Sequence, residues 1–139
     1  MTATPQQARY VFDEWHKRIR ARDAVGLAEL YADDASLESP LVPVLLDQQS
    51  GLVQGRAELD RFLEETTRRR PDDDELPSLH RAGDFSFDGE RLIWGYPRST
   101  PTGDQLDLVE IMELDGPTIR RHRIYWGWRG VDHLITNQK

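Results

Sequence analysis

The chain has 139 residues, a length that suits a single domain, 1–139, and that can bury a core without metal or disulfide staples. It contains no cysteine, which excludes disulfides, thiolate zinc sites and a cysteine nucleophile. With a net charge of −7, it would repel a phosphate backbone unless a local basic patch intervened.

Two such patches exist, and neither reads as a nucleic-acid surface. Arg68-Arg69-Arg70 runs directly into Asp72-Asp73-Asp74-Glu75, a solvated helix end with local charge compensation. Arg120-Arg121-His122-Arg123 lies in a strand pattern, which sends alternate side chains to opposite faces. No basic-then-apolar leader and no membrane-length apolar run occurs. The expectation is a soluble cytoplasmic protein with no nucleic-acid or membrane partner.

In chain order, Thr4-Pro5-Gln6-Gln7 has the residues of a capped helix start. Ala8, Val11, Phe12, Trp15 and Ile19 follow at helical spacing, which predicts a helix over about 5–21. His16 is expected to point off that stripe to the surface. Asp23 caps a second helix with the stripe Ala24, Leu27, Ala28 and Tyr31, weakened slightly by Gly26. Residues 35–39 read as a short strand. The apolar segment 40–54 holds two prolines, which discourage both helix and central strand. It is expected to be a loop that closes the core, contacts a second copy, or covers a pocket mouth.

Gly55-Arg56-Ala57-Glu58 opens a third helix with the buried face Leu59, Phe62, Leu63 and Thr66, ending near Arg70 before Pro71. The period then becomes strand-like. Strands 79–87 and 90–98 flank Asp88-Gly89, and strands 105–114 and 118–128 flank Asp115-Gly116-Pro117, giving two hairpins. Residues 129–139 form a tail. The fold class is α+β: a curved antiparallel sheet wrapped around three N-terminal helices, a cone enclosing an apolar pocket.

Strand 105–114 holds the most informative residue. Leu106, Leu108, Glu110, Met112 and Leu114 share one face, and Glu110 is the single charge in that apolar row. Burying a carboxylate there costs several kcal/mol unless it is paired or protonated. Pairing Leu114 with Thr118 across the turn would set Glu110 opposite His122, Leu108 opposite Ile124 and Leu106 opposite Trp126. Glu110, His122, Ile124, Trp126 and Trp128 would then share the concave side. A carboxylate beside an imidazole can act as acid or base near neutral pH. Ligand hydrogen bonding without chemistry, and a satisfied polar pair inside the cone, remain open readings of the same residues. The remaining histidines, His80 and His133 among the total of 4, show no metal-ligand spacing, so no metal and no cofactor is expected.

Leu30-Tyr31-Ala32-Asp33-Asp34-Ala35-Ser36-Leu37-Glu38-Ser39-Pro40 resembles the corresponding segment of ketosteroid isomerases. Gly55-Arg56-Ala57-Glu58 resembles the helix opening of SnoaL-like proteins, and Val109–Asp115 with Tyr125-Trp126 resembles their last two strands. The resemblance is to the nuclear transport factor 2-like (NTF2-like) superfamily and covers most of the chain. It implies the cone fold and a small apolar ligand, with many activities possible on one scaffold.

Carried over residue by residue, the resemblance puts Ser39 where the isomerases hold their proton-shuttling aspartate. Trp15 falls where they hold an oxyanion-hole tyrosine, Glu110 at the protonated aspartate of that hole, and Trp126 at a pocket tryptophan. An alcohol is too weak a base to replace the aspartate unaided, so steroid isomerisation by that mechanism is not expected. What is expected is proton-transfer chemistry of isomerase, cyclase or dehydratase type, with Glu110 and His122 as catalytic residues. Trp15, Ser39, Leu108, Met112, Ile124 and Trp126 would bind substrate. The competing expectation is a non-catalytic module that binds a ligand or forms a homodimer through the outer sheet face, where Val109, Ile111, Arg123 and Tyr125 stand.

Overall fold

The computed structural model describes residues 2–70, 85–96, 108–127, 132 and 136. Helix α1 spans Pro5–Arg20, and its start has the geometry the sequence implies. The Thr4 hydroxyl accepts from the Gln7 amide, and the Gln7 side chain accepts from the Thr4 amide, a reciprocal capping box. Ala8, Val11, Phe12, Trp15 and Ile19 are all buried, so the predicted stripe faces the core.

Helix α2 spans Ala24–Glu29, with the Asp23 carboxylate accepting from the Gly26 amide. Gly26 is there for space: a Cβ at that position would overlap the capping carboxylate. The helix ends two residues earlier than its apolar stripe suggests. Tyr31 instead begins strand β1, Tyr31–Glu38, which is longer than the expected 35–39.

The segment 40–54 is not the expected loop. It forms a one-and-a-half-turn helix α3, Leu41–Leu46, and a short strand β2, Leu52–Gln54. The prolines fit because both lie in the first turn, Pro40 at the N-cap and Pro43 at the third helical position. Amides there have no intrahelical partner to lose. Asp47, with φ 51°, terminates the helix in the left-handed region. Val42, Leu45 and Leu46 are buried in the core, so this segment closes the core.

Helix α4, Arg56–Arg69, starts at the expected glycine; Thr67, not Thr66, completes its buried face with Leu59, Phe62 and Leu63. Strands β3 (Ser86–Phe87) and β4 (Arg91–Tyr96) form the first hairpin, and β5 (Leu108–Asp115) and β6 (Thr118–Trp126) the second. Gly89 (φ 99°) and Gly116 (φ 57°) supply the left-handed turn residues both hairpins require. The expected strand portions 79–84, 97–98, 105–107 and 128, the acidic run after Arg70, His80, His133, Leu106 and Trp128 lie outside the described residues.

The six strands make one sheet in the order β2-β1-β6-β5-β4-β3. The expectation of an antiparallel sheet needs correction, because β1 and β6 pair in parallel, Leu37 opposite His122. Both run the same way once two hairpins have reversed the chain, and no local pattern reports a pairing between segments so far apart. The sheet is therefore mixed, and among the described residues helices α1 to α4 accompany it. The helices α1, α2 and α4 and the inner sheet face share one core.

The register of the second hairpin is also corrected. Asp115 pairs with Thr118 and Leu114 with Ile119, while farther along Glu113 pairs with Arg121, Met112 with His122, Glu110 with Ile124 and Leu108 with Trp126. Arg120 is the extra residue of a bulge between these two registers. Were Arg120 paired in the turn's register instead of bulged, alternation would turn His122 to the face opposite Glu110. With the bulge, Ile119 and His122 are both buried although three residues apart. Among the described residues no helix is long and apolar enough to cross a membrane.

Candidate functional site

The inner face of β4, β5 and β6 carries Leu92, Trp94, Leu108, Glu110, Met112 and His122, each at most 4% exposed. Glu110 and His122 are 1% and 0% exposed. Although Met112 and not Glu110 stands opposite His122, the diagonal brings Nε2 of His122 to 2.8 Å from Oε1 of Glu110. Diagonal neighbours across a ladder are within reach of long side chains.

The other ring nitrogen continues the network. His122 Nδ1 lies 2.7 Å from the Tyr31 hydroxyl, which in turn lies 3.2 Å from Trp15 Nε1. The direction of this chain follows from its first member. An indole nitrogen can only donate, so Trp15 donates to the Tyr31 oxygen. Burial pushes the Tyr31 phenol well above its ordinary range, so it keeps its proton. Among the described residues the acceptor for that proton is His122 Nδ1. The ring is thereby set as the Nε2–H tautomer, and Nε2 donates to Glu110. Proton donation then runs from Trp15 through Tyr31 and His122 to Glu110.

His16 corrects the surface expectation. It is half-buried, its ring 4.3 Å from Phe12, 5.3 Å from Trp15 and 5.2 Å from Trp94. Its Nδ1 donates to the Phe12 carbonyl at 2.8 Å. Desolvation lowers its pKa below the ordinary 6.5, opposed by the Phe12 bond and by the charge of Glu110. The signal was present in the sequence: Ala8, Phe12 and His16 form an i, i+4 row beside the main stripe.

Of the residues expected to bind substrate, Trp15, Leu108 and Met112 lie on the buried face with Glu110. Ile124 and Trp126 continue the inner face of β6 and are half-buried. Ser39 is buried just beyond β1, and its hydroxyl accepts from the Leu41 amide at 3.1 Å, shaping the start of α3. Tyr31 and Trp94 join the site without a local sequence signal. Tyr31 was hidden by its place in a helical stripe, and Trp94 by the lack of any local sign that β4 would pair with Glu110. No group of three or more histidines, aspartates or glutamates among the described residues could hold a metal ion. On the outer face the arginines are paired with acids: Arg120 with Glu90 at 3.3 Å, Arg121 with Glu38 at 3.2 Å and Arg123 with Glu113 at 3.8 Å.

Mixed sheet, N-terminal helices and a polar group on the concave face together define an NTF2-like cone, and solved structures agree. A SnoaL-like protein of unknown function from Burkholderia thailandensis superposes with a TM-score of 0.68 at 17% identity, covering 91% of this chain and 99% of that one. An NTF2-like protein of unknown function from Burkholderia pseudomallei gives 0.67 at 17% identity, covering 94% and 98%. The epoxide hydrolase/cyclase-like enzyme SalBIII, of pyran ring formation in the polyether salinomycin, gives 0.63 at 16% identity, covering 90% and 94%. No family model and no curated protein matches the sequence.

Proposed function

We propose that this protein binds a small apolar molecule in its cone and moves a proton on it, as an isomerase, cyclase or dehydratase would. Glu110 is the group that exchanges the proton, and His122, oriented by Tyr31 and Trp15, holds its carboxyl in place. The observation that carries this reading is the buried hydrogen-bond chain Trp15–Tyr31–His122–Glu110, which reaches a 1%-exposed acid. A carboxyl that accepts from a fixed imidazole N–H is presented as a base, and its removal from water raises the strength of its interactions. Trp15 spends its N–H on Tyr31, so its part in binding would be as a wall. Ser39, hydrogen-bonded at the start of α3, would contribute at most a polar contact. Ile124 and Trp126, half-buried beyond His122, mark the end of the inner face from which a ligand would approach. A structural neighbour is an epoxide hydrolase/cyclase-like enzyme, which supports small-molecule chemistry on this fold without naming a substrate here.

The test is a screen of apolar metabolites for turnover, followed by Glu110→Gln. Loss of at least a hundredfold in kcat with little change in stability is expected, the range for removing a general base. Unchanged turnover in Glu110→Gln would overturn the catalytic assignment.

A second reading, a dimerising or binding module without chemistry, is favoured by the outer sheet face. Val109 and Tyr125 are cross-strand partners there and are 42% and 49% exposed. An apolar pair flanked by arginine–glutamate pairs suits a symmetric contact between two copies. Sedimentation at micromolar concentration checks it: a strict monomer removes the dimer.

A further inference from the structure

Trp94 holds a polar atom that the fold does not use. The residue stands opposite Glu110 in the β4–β5 pairing, so both side chains occupy the inner face. It is 4% exposed, and its ring is bounded by Phe12 at 5.3 Å, His16 at 5.2 Å, Trp15 at 6.0 Å and His122 at 6.4 Å. Its Nε1 is buried and meets no hydrogen-bond acceptor among the described residues. Trp15, in the same cluster, donates its N–H to Tyr31. A buried N–H left without an acceptor costs about 1–3 kcal/mol, which a phenylalanine at the same place would avoid.

The chemistry of whatever satisfies that N–H is bounded from two sides. An indole only donates, so the partner must offer an acceptor. The neighbouring carboxyl of Glu110 disfavours a second anion in a site this dry. A cation would be drawn to Glu110 but offers the indole no lone pair. A neutral oxygen, carbonyl or hydroxyl, meets both conditions. We propose that Trp94 is a ligand-anchoring residue whose Nε1–H donates to a neutral oxygen of the small molecule bound against Glu110. The proposal rests on the small-molecule half of the function above and is independent of the proton transfer.

The test uses cyclohexanone and its near-isostere methylenecyclohexane, which lacks the oxygen, on the full chain labelled with ¹⁵N. The Trp94 indole resonance is assigned by its absence in Trp94→Phe. Cyclohexanone is expected to move that resonance downfield and methylenecyclohexane to leave it. Trp94→Phe is expected to weaken the ketone about 3- to 10-fold, the worth of one hydrogen bond, with the hydrocarbon changed less than about twofold. No ketone binding, an unmoved Trp94 signal, or equal losses for both probes would each overturn the proposal. The wild-type shift serves as readout even if Trp94→Phe folds poorly. Glu110→Gln should retain the ketone-induced shift, so a failure of the catalytic reading leaves this result standing.

Discussion

His122 reaches Glu110 at 2.8 Å across a diagonal of the β5–β6 ladder, with Met112 and not Glu110 as its direct partner. The contact exists because a single extra residue, Arg120, shifts the register between the turn and the centre of the hairpin. Shape at the strand's start thus decides chemistry at its middle.

The bulge itself can be tested by deletion. Removing Arg120 would close the bulge and leave Leu114 opposite Ile119, Glu113 opposite Arg121 and Met112 opposite His122, so His122 should still face Glu110. Its cost should stay below about 3 kcal/mol, the range of ordinary changes, because no charge is buried and no core residue is lost. Arg120→Ala keeps the residue count and loses only half-exposed ion pairs, so it should cost under about 1 kcal/mol. Urea denaturation of the two variants separates backbone count from side-chain loss.

Tyr31→Phe removes the hydroxyl that accepts from Trp15 and donates to His122. Two buried groups are left without it, so a loss of about 2–4 kcal/mol is expected. The ring nitrogens of His122 report the direction of the chain independently. In the wild type, ¹⁵N shifts should show Nε2 protonated and Nδ1 bare; the opposite tautomer would reverse the assigned direction.

His122→Leu would leave the buried Glu110 without its imidazole partner and is expected to destabilise by about 3–5 kcal/mol. The double variant Glu110→Leu, His122→Leu should recover most of that loss, because an apolar pair suits this surrounding. A double variant no more stable than His122→Leu would place the cost in packing and not in charge.

His16 makes stability depend on acid. Its folded pKa lies below the ordinary 6.5 because the ring is desolvated, so the unfolded chain binds the proton more tightly. The stability it contributes is complete above about pH 6.5 and is lost as pH falls through the folded value. His16→Phe should flatten the slope of unfolding free energy between about pH 6.5 and the folded value, measured by chemical denaturation.

Gly26→Ala, which on propensity alone should strengthen α2, is expected to weaken the protein by about 1–2 kcal/mol by displacing the Asp23 cap. In an Asp23→Ala background the obstacle is gone, and the same substitution should become neutral or stabilising. Thermal unfolding of the four-member set distinguishes the cases.

Local physics made α1, α4 and both hairpin turns legible: a capping box, an apolar stripe, and Asp-Gly dipeptides each act over a few residues. The inner face of β5 was legible for the same reason, since alternation alone isolates Glu110 among leucines and a methionine. What escaped was non-local. Tyr31 continues a helical stripe and joins β1 only because β6 docks beside it, with its hydroxyl bonded to a residue 91 positions away. The bulge at Arg120 has no signature in a run of arginines. The register expected from the turn was wrong by two, which preserved the facing of Glu110 and His122; an error of one would have separated them. Pro43 sits in a helix because the first turn is the exception to the rule against helical proline.

Among the described strands β6 comes last in sequence, yet it lies third in the sheet, between β1 and β5. In the folded sheet β6 alone joins the two pieces β2-β1 and β5-β4-β3, pairing with an edge of each. Tyr31 on β1 and Glu110 on β5 both bond to the imidazole that this strand places between them. One strand thus both closes the sheet and carries the imidazole that links Tyr31 to Glu110.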